Sequence, residues 1–320
     1  MSAKMRSAVA LCSAGTLGLL ALGCDQPTPK CTVQRGPYAA TYTLVGEVSG
    51  VGDCGSLKGE VLNVAAYGVP TSKSDPQPDP ARAVIGVQPQ FLTDILGNAA
   101  GSMVEPHPED NGVSTGEFAK TEPGKDDFCV APTLSTAHVR LQTVPEHTDM
   151  CVTTPEQPAV DVSYTFSNVR VYTTTSAYAT QLAADLTYTK DGCTANYHVV
   201  AVYPAVDCTA VQASTEPPAT GDDAGVAPDA FVPQGMDASS DVDAAQSEDD
   251  AGKVPDDDAA CPPEETDPGP APVGDESLCL PFADPAMGRA TASGLNPDFA
   301  IRCDPDLLLC VLSKEPPSLR

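Results

Sequence analysis

The chain has 320 residues, with 32 Pro, 25 Gly, 12 Cys, no Trp, and 44 acidic against 17 basic side chains. The length allows about two domains, but 9 Tyr and 7 Phe are its only aromatic residues, so any core is modest and a large enzyme with a deep apolar pocket is disfavoured. The net charge of −27 argues against a nucleic-acid binder, because affinity for phosphate rests on Lys and Arg, and an anionic membrane surface would repel it.

Residues 1–23 read as an export signal: Lys4 and Arg6, a weakly polar to apolar run from Ala8 to Leu22, and a small residue, Gly23, before Cys24. As a helix the run would rise about 22 Å against a hydrocarbon core of about 30 Å, too short to span comfortably. Ala21-Leu22-Gly23-Cys24 resembles the lipobox of bacterial lipoproteins. The resemblance implies cleavage before Cys24 and a diacylglycerol (palmitate-type) anchor on its sulfur, with 24–30 as a lipid-anchored tether. The implied localisation is the envelope of a Gram-negative-type bacterium, on the outer or the inner membrane, with the globular parts in the periplasm or at the cell surface. The alternative is an ordinary signal peptide cut near Gly23.

Residues 31–212 alternate as half-buried strands do. Examples are Tyr42, Leu44 and Val48; Ala137, Val139 and Leu141; Val160, Val162, Tyr164 and Phe166; and Leu182, Ala184, Leu186 and Tyr188. After Phe166 the parity changes to Val169 and Val171, which predicts a bulge near Asn168. Thr180 to Tyr203 reads as a hairpin turning at Asp191-Gly192, a pair suited to a type I′ turn. The one helical stretch is Phe91 to Ala100, with Phe91, Ile95 and Leu96 on one stripe and Gly97 and Gly101 as bounds. Val69–Pro80 and Glu105–Gly124 are rich in Pro, Gly and acids and read as long surface loops or disordered inserts. About seven or eight strands predict a mainly β domain, an antiparallel sandwich or open barrel.

Residues 213–260 carry 13 acids and one base and only Phe231 among aromatics, which predicts a disordered acidic linker. Asp241-Val242-Asp243 lacks the turn Gly and terminal Glu of a calcium loop, so a solvated spacer is the better reading. Residues 261–320 form a small Cys-bearing C-terminal module, either a mini-domain or an extension docked on the first domain. Its apolar residues cluster at Leu278–Phe282 and Leu307–Leu312.

Setting aside Cys12 and Cys24 leaves ten cysteines: Cys31, Cys54, Cys129, Cys151, Cys193, Cys208, Cys261, Cys279, Cys303 and Cys310. An even set in an exported chain reads as disulfides, three in the first half and two in the second, with pairing inside each half the natural expectation and the connectivity itself open. Cys193 and Cys208 stand at opposite ends of one strand and should find other partners. No pair has the C-x₂-C spacing of a zinc site, and no metal or cofactor is expected.

No catalytic constellation emerges. Gly46-Glu47-Val48-Ser49-Gly50 lacks the spacing of a nucleophile elbow and reads as a turn. His107, His138, His147 and His198 are scattered, and Glu146-His147 with Asp149 lacks a nucleophile. The Asp126-Asp127 and Glu109-Asp110 pairs follow from composition. The favoured reading is a non-catalytic, lipid-anchored envelope protein, structural, adhesive or an accessory subunit, with an envelope protein or glycan as partner. It resembles, in composition and style, uncharacterised disulfide-containing envelope lipoproteins with Asp/Ala/Pro-rich linkers from GC-rich Gram-negative genomes. The alternatives are a carbohydrate- or small-ligand-binding module, with Tyr172, Tyr178, Tyr197 and Tyr203 as candidate platform rings, and a secreted hydrolase.

Overall fold

A computed structural model describes residues 29–72, 74, 77–101, 104–105, 107–149, 152–210, 271–287 and 291–320. The signal, Cys24, Cys151, Cys261 and the acidic stretch 213–260 lie outside the described residues.

The fold is mainly β. In chain order the strands are β1 (Gly36–Ser49), β2 (Gly59–Pro70), β3 (Pro78–Pro89), β4 (Ser114–Glu117), β5 (Phe128–Thr133), β6 (Ala137–Leu141), β7 (His147–Asp149), β8 (Val152–Thr154), β9 (Val160–Thr173), β10 (Tyr178–Lys190) and β11 (Cys193–Val202). One helix, α1 (Gln90–Gly101), follows β3, and the tail adds β12 (Ile301–Asp304) and β13 (Leu309–Leu312). Nine strands make one antiparallel sheet in the order β4-β3-β2-β1-β11-β10-β9-β5, with β6 also on β9. The sheet is not closed into a barrel. Its end strands do approach: Ser135 N–H donates to the Thr115 carbonyl at 2.7 Å and Ala119 N–H to that of Val130 at 2.8 Å, without forming a ladder.

Strand alternation divides the side chains between two faces. The inner face buries Tyr38, Ala40 and Tyr42 of β1, Val162, Tyr164 and Phe166 of β9, Leu182, Ala184, Leu186 and Tyr188 of β10, and Tyr197, Val199 and Ala201 of β11. The bulge expected near Asn168 is there: Ala183 faces Arg170 and Asp185 faces Ser167, and Asn168 has φ 49°. It resets the parity so that Val169 and Val171 return to the inner face. The β10–β11 turn is also as expected, with Asp191 at φ 51°, Gly192 at φ 83° and Lys190 opposite Cys193.

Other expectations are corrected. The β2–β3 hairpin extends through much of the stretch read as loop; Pro78 and Pro80 are tolerated because β4 pairs only with Val84–Val87, leaving the start of β3 a local edge. Leu44 and Val48 are exposed at 41% and 39%, since β1 runs past β2, which pairs with it only over Gly36–Thr41. Helix α1 continues through Gly97 and buries Leu92, Ile95 and Ala99, with Phe91 and Leu96 on the margin of the core.

The described residues of 272–320 dock on the outer face and belong to the same compact unit as those of 29–210; the second unit, Val211–Ala271, is described only at Ala271. Phe299, Leu295, Val311 and Leu312 of the tail pack with Ala39, Phe128, Tyr172 and Val202 of the sheet. The chain leaves and re-enters this unit at one place, where Ala210 N–H donates to the Val273 carbonyl and Asp275 N–H to that of Cys208, both at 2.7 Å.

Four disulfides join described cysteines: Cys31–Cys129, Cys54–Cys193, Cys208–Cys303 and Cys279–Cys310. The expectation of pairing within each half fails at Cys208–Cys303. The tail is covered surface of the sheet, so proximity in space outweighs the 95 residues between those cysteines.

Candidate functional site

The inner face carries a polar network beneath the start of α1. Glu60, second residue of β2, lies opposite Ala40 of β1. Its Oε1 accepts from the Tyr42 hydroxyl at 3.0 Å, and its Oε2 accepts from the Phe91 N–H at 3.0 Å. The Tyr164 hydroxyl also acts on the carboxyl. Glu60 thereby satisfies one of the donors that a helix N-terminus leaves open. Gln90 continues the network, taking a bond from Asn63 Nδ2 at 3.3 Å and donating to Asp94 Oδ1 at 2.6 Å.

Burial pushes the Glu60 carboxyl above the usual carboxylate range, against the pull of its Phe91, Tyr42 and Tyr164 donors. Tyr42, Tyr164 and Tyr188 are held well above the ordinary phenol range, first by burial and then by the Glu60 charge. They are therefore protonated, and Tyr42 donates to Glu60. The rings pack together, Tyr164 and Tyr188 edge-on at 4.9 Å and Tyr42 with Tyr197 at 6.0 Å. The Tyr197 hydroxyl donates to the Cys54 carbonyl and accepts from Leu57 N–H, tying the Cys54–Cys193 staple into the same network.

On the other flank of α1 a half-open groove of about 370 Å³ is lined by Phe91, Asp94, Ile95 and Asn98 of the helix, residues 157–160, and Lys190 and Asp191 of the hairpin turn. The Lys190 ammonium sits 5.6 Å from the centre of the Phe91 ring. Glu60 does not line this groove. The site is thus a floor of phenols and one carboxylate fixing a helix, with an amphipathic groove beside it.

The other sequence candidates are dispersed. His107 Nδ1 meets Arg140 at 2.8 Å, and Arg140 also grips Asp110, whose side chain is 3% exposed. His138 pairs with Asp161 at 2.7 Å, and His198 joins Glu315 of the tail at 2.7 Å, with Asp185 at 3.6 Å. The side chains of His147 and Asp149 lie outside those described. Asp127 occupies a turn at φ 62°, and Ser49 ends the bulged strand β1. Of the four platform tyrosines, Tyr172 and Tyr197 are buried, Tyr203 packs on Tyr38, and Tyr178 is 39% exposed, so they form no shared exposed platform. The Sγ atoms of Cys208, Cys279 and Cys303 lie within 4.8 Å of one another, but each is in a disulfide. Sequence reading missed Glu60, because a lone carboxylate in an acidic chain carries no pattern; its position at the start of a strand aimed at α1 shows only in three dimensions.

Residues 36–204, which span β1 to just past β11, match the sequence profile of the MlpA family. The chain belongs to the MlpA family. A curated relative from Myxococcus xanthus, named "Putative lipoprotein MlpA", is 27% identical over 219 residues, covering 67% of this chain and 81% of the relative. No solved structure matches the chain significantly. The MlpA span contains the whole sheet, α1 and the Glu60 network, whereas Cys31, Cys208 and the tail lie outside it. No helix among the described residues is long and apolar enough to cross a membrane.

Proposed function

We propose that this MlpA-family chain is a lipid-anchored envelope lipoprotein, held to a bacterial membrane through Cys24, that acts as a non-catalytic structural or accessory component. The name of the Myxococcus xanthus relative and the lipobox-like residues 21–24 support the anchor. The observation that carries the reading is the staple at Cys31. It is bonded to Cys129, and its N–H donates to the Thr121 carbonyl at 2.9 Å, so the chain is fixed to the body at that point. A tether of residues 24–30 would span at most about 25 Å. A lipid at Cys24 would hold the sheet close to the bilayer, as suits a component that works beside the membrane. The non-catalytic part is supported by Glu60, the one carboxyl among the described residues with a raised affinity for protons, whose two oxygens are engaged by the Tyr42 hydroxyl and by the Phe91 N–H of α1.

The test is the intact mass of protein extracted from membranes of a bacterial host, for wild type and Cys24→Ala. A mature chain beginning at Cys24 and carrying acyl groups, with the variant released to the soluble fraction, is the expected result. Wild type that is soluble and unacylated overturns it. A second reading, small-ligand binding, draws on the groove beside α1 with Phe91, Asp94 and Lys190. It predicts that a saccharide or amphiphile screen by NMR shifts the α1 amides, and a flat response across the screen dismisses it.

A further inference from the structure

Four sulfurs gather where the tail meets the outer face of the sheet. Cys208, just past β11, is bonded to Cys303 of β12, and Cys279, closing the 3-10 turn Glu276–Cys279, is bonded to Cys310 of β13. The Sγ atoms of Cys208, Cys279 and Cys303 all lie within 4.8 Å of one another. Disulfides exchange when a thiolate attacks a neighbouring sulfur, so two bonds this close are within side-chain reach of trading partners.

The ladder supplies the alternative pairing. Cys303 and Cys310 stand directly opposite each other in β12–β13. Opposed residues of antiparallel strands have Cα atoms about 4.5–5.5 Å apart, within the span a disulfide bridges. That pairing would leave Cys208 and Cys279, whose sulfurs are already neighbours. Access is graded as well: Cys208, Cys279 and Cys310 are buried, and Cys303 is only half-buried. Gly274 lies against it, where a Cβ would come within 2.7 Å of the Cys303 Sγ.

We propose that this cluster is a thiol–disulfide exchange site, opened at Cys303 by an external thiol, either a small-molecule thiolate or the active cysteine of a dithiol oxidoreductase. The external thiolate attacks the Cys303 Sγ, the bond to Cys208 breaks, and the electron pair leaves on the Cys208 sulfur. That thiolate attacks Cys279, forming Cys208–Cys279 and leaving the electron pair on Cys310. The Cys310 thiolate attacks Cys303 across the ladder and expels the external thiolate unchanged. Three S–S bonds form and three break, with no net oxidation or reduction. In both states Cys208 holds the tail to the sheet. What changes is whether the sheet is bonded to the β12–β13 hairpin or to the 3-10 turn, so exchange alters the tail without releasing it.

The test uses the whole mature chain in a mildly alkaline glutathione buffer, quenched with acid, alkylated and digested with trypsin without reduction. Cleavage after Arg302 and Lys314 isolates residues 303–314, which carry both Cys303 and Cys310. In the starting pairing this peptide stays cross-linked to those holding Cys208 and Cys279. In the exchanged pairing it is released alone with an internal disulfide. Release should rise many-fold over a thiol-free control and be slowed several-fold in Gly274→Val. A peptide that stays cross-linked up to the thiol concentration that reduces Cys54–Cys193 overturns the proposal. A Cys279→Ala/Cys310→Ala variant removes the second step and should trap the glutathione adduct on Cys303; an adduct on Cys208 instead also overturns it.

Discussion

The two faces of the sheet are covered by different means. The inner face is covered by α1, which follows directly on β3, and its largest polar groups are matched: Glu60 takes Tyr42 and Phe91, and the Tyr38 hydroxyl donates to the Ala179 carbonyl at 2.8 Å. The outer face is covered by chain that returns after a long excursion and is tied down by Cys208–Cys303. Its match is less complete. Gln181 Oε1 accepts from Ser318 N–H at 2.7 Å, but Gln181 Nε2 and Arg170 Nε are buried without a protein partner, as is Thr180 Oγ1 next to Gln181 in the chain. Buried donors left unpaired cost stability, so the outer interface should open before the inner core does.

Cutting one large side chain from each core tests that order. Phe166→Ala in the inner core should cost about 3–5 kcal/mol in urea unfolding of the whole body. Phe299→Ala removes as much from the outer core, yet the loss should be confined to the tail: amide exchange at Leu309–Leu312 rises many-fold while the β9–β11 amides keep their protection. If both variants lower the protection of β9–β11 equally, the two faces are one cooperative unit and the comparison is broken.

Removing the covalent tie is the next largest step. Cys208→Ala/Cys303→Ala should lower stability by about 2–5 kcal/mol through the freedom restored to the unfolded chain, read as a drop in the urea midpoint of the tail. The excursion itself should matter less. Replacing residues 212–258 with Gly-Ser shortens the loop about fourfold, and since its ends meet at Ala210 and Val273, closure entropy predicts a gain of about 1 kcal/mol. A destabilised product would show that the acidic stretch contributes contacts of its own.

The smallest effect concerns pH. Because Glu60 binds its proton more tightly folded than unfolded, it adds stability in acid that is lost as pH rises from the ordinary carboxylate range through its raised value. Urea unfolding of wild type should show that decline, and Glu60→Gln should flatten it. An unchanged pH profile in the variant would mean that the slope belongs to other carboxylates.

Much of the inner face could be read from the chain alone. Period-2 alternation in Leu182–Tyr188 and Val160–Phe166, the parity switch at Asn168 and the Asp191-Gly192 turn all depend on neighbours in sequence, and each stands in the structure as read. Leu44 and Val48 alternate equally well but are exposed, because alternation says which side chains share a face and not whether anything covers it. The Glu60 network was hidden for a related reason: its members come from β1, β2, β9 and α1, and no spacing along the chain relates Tyr42, Glu60, Phe91 and Tyr164.

The sequence by itself determined the mainly β character, the hairpin, the bulge and the even complement of cysteines, since these follow from local side-chain periodicity, turn chemistry and composition. Tertiary structure alone decided that the sheet stays open, that residues 272–320 cover its outer face, and that Cys208 reaches across the excursion to Cys303. The physical reason is that burial is non-directional and does not register sequence distance: an apolar face accepts whatever apolar segment can reach it, and the disulfide then records which one did.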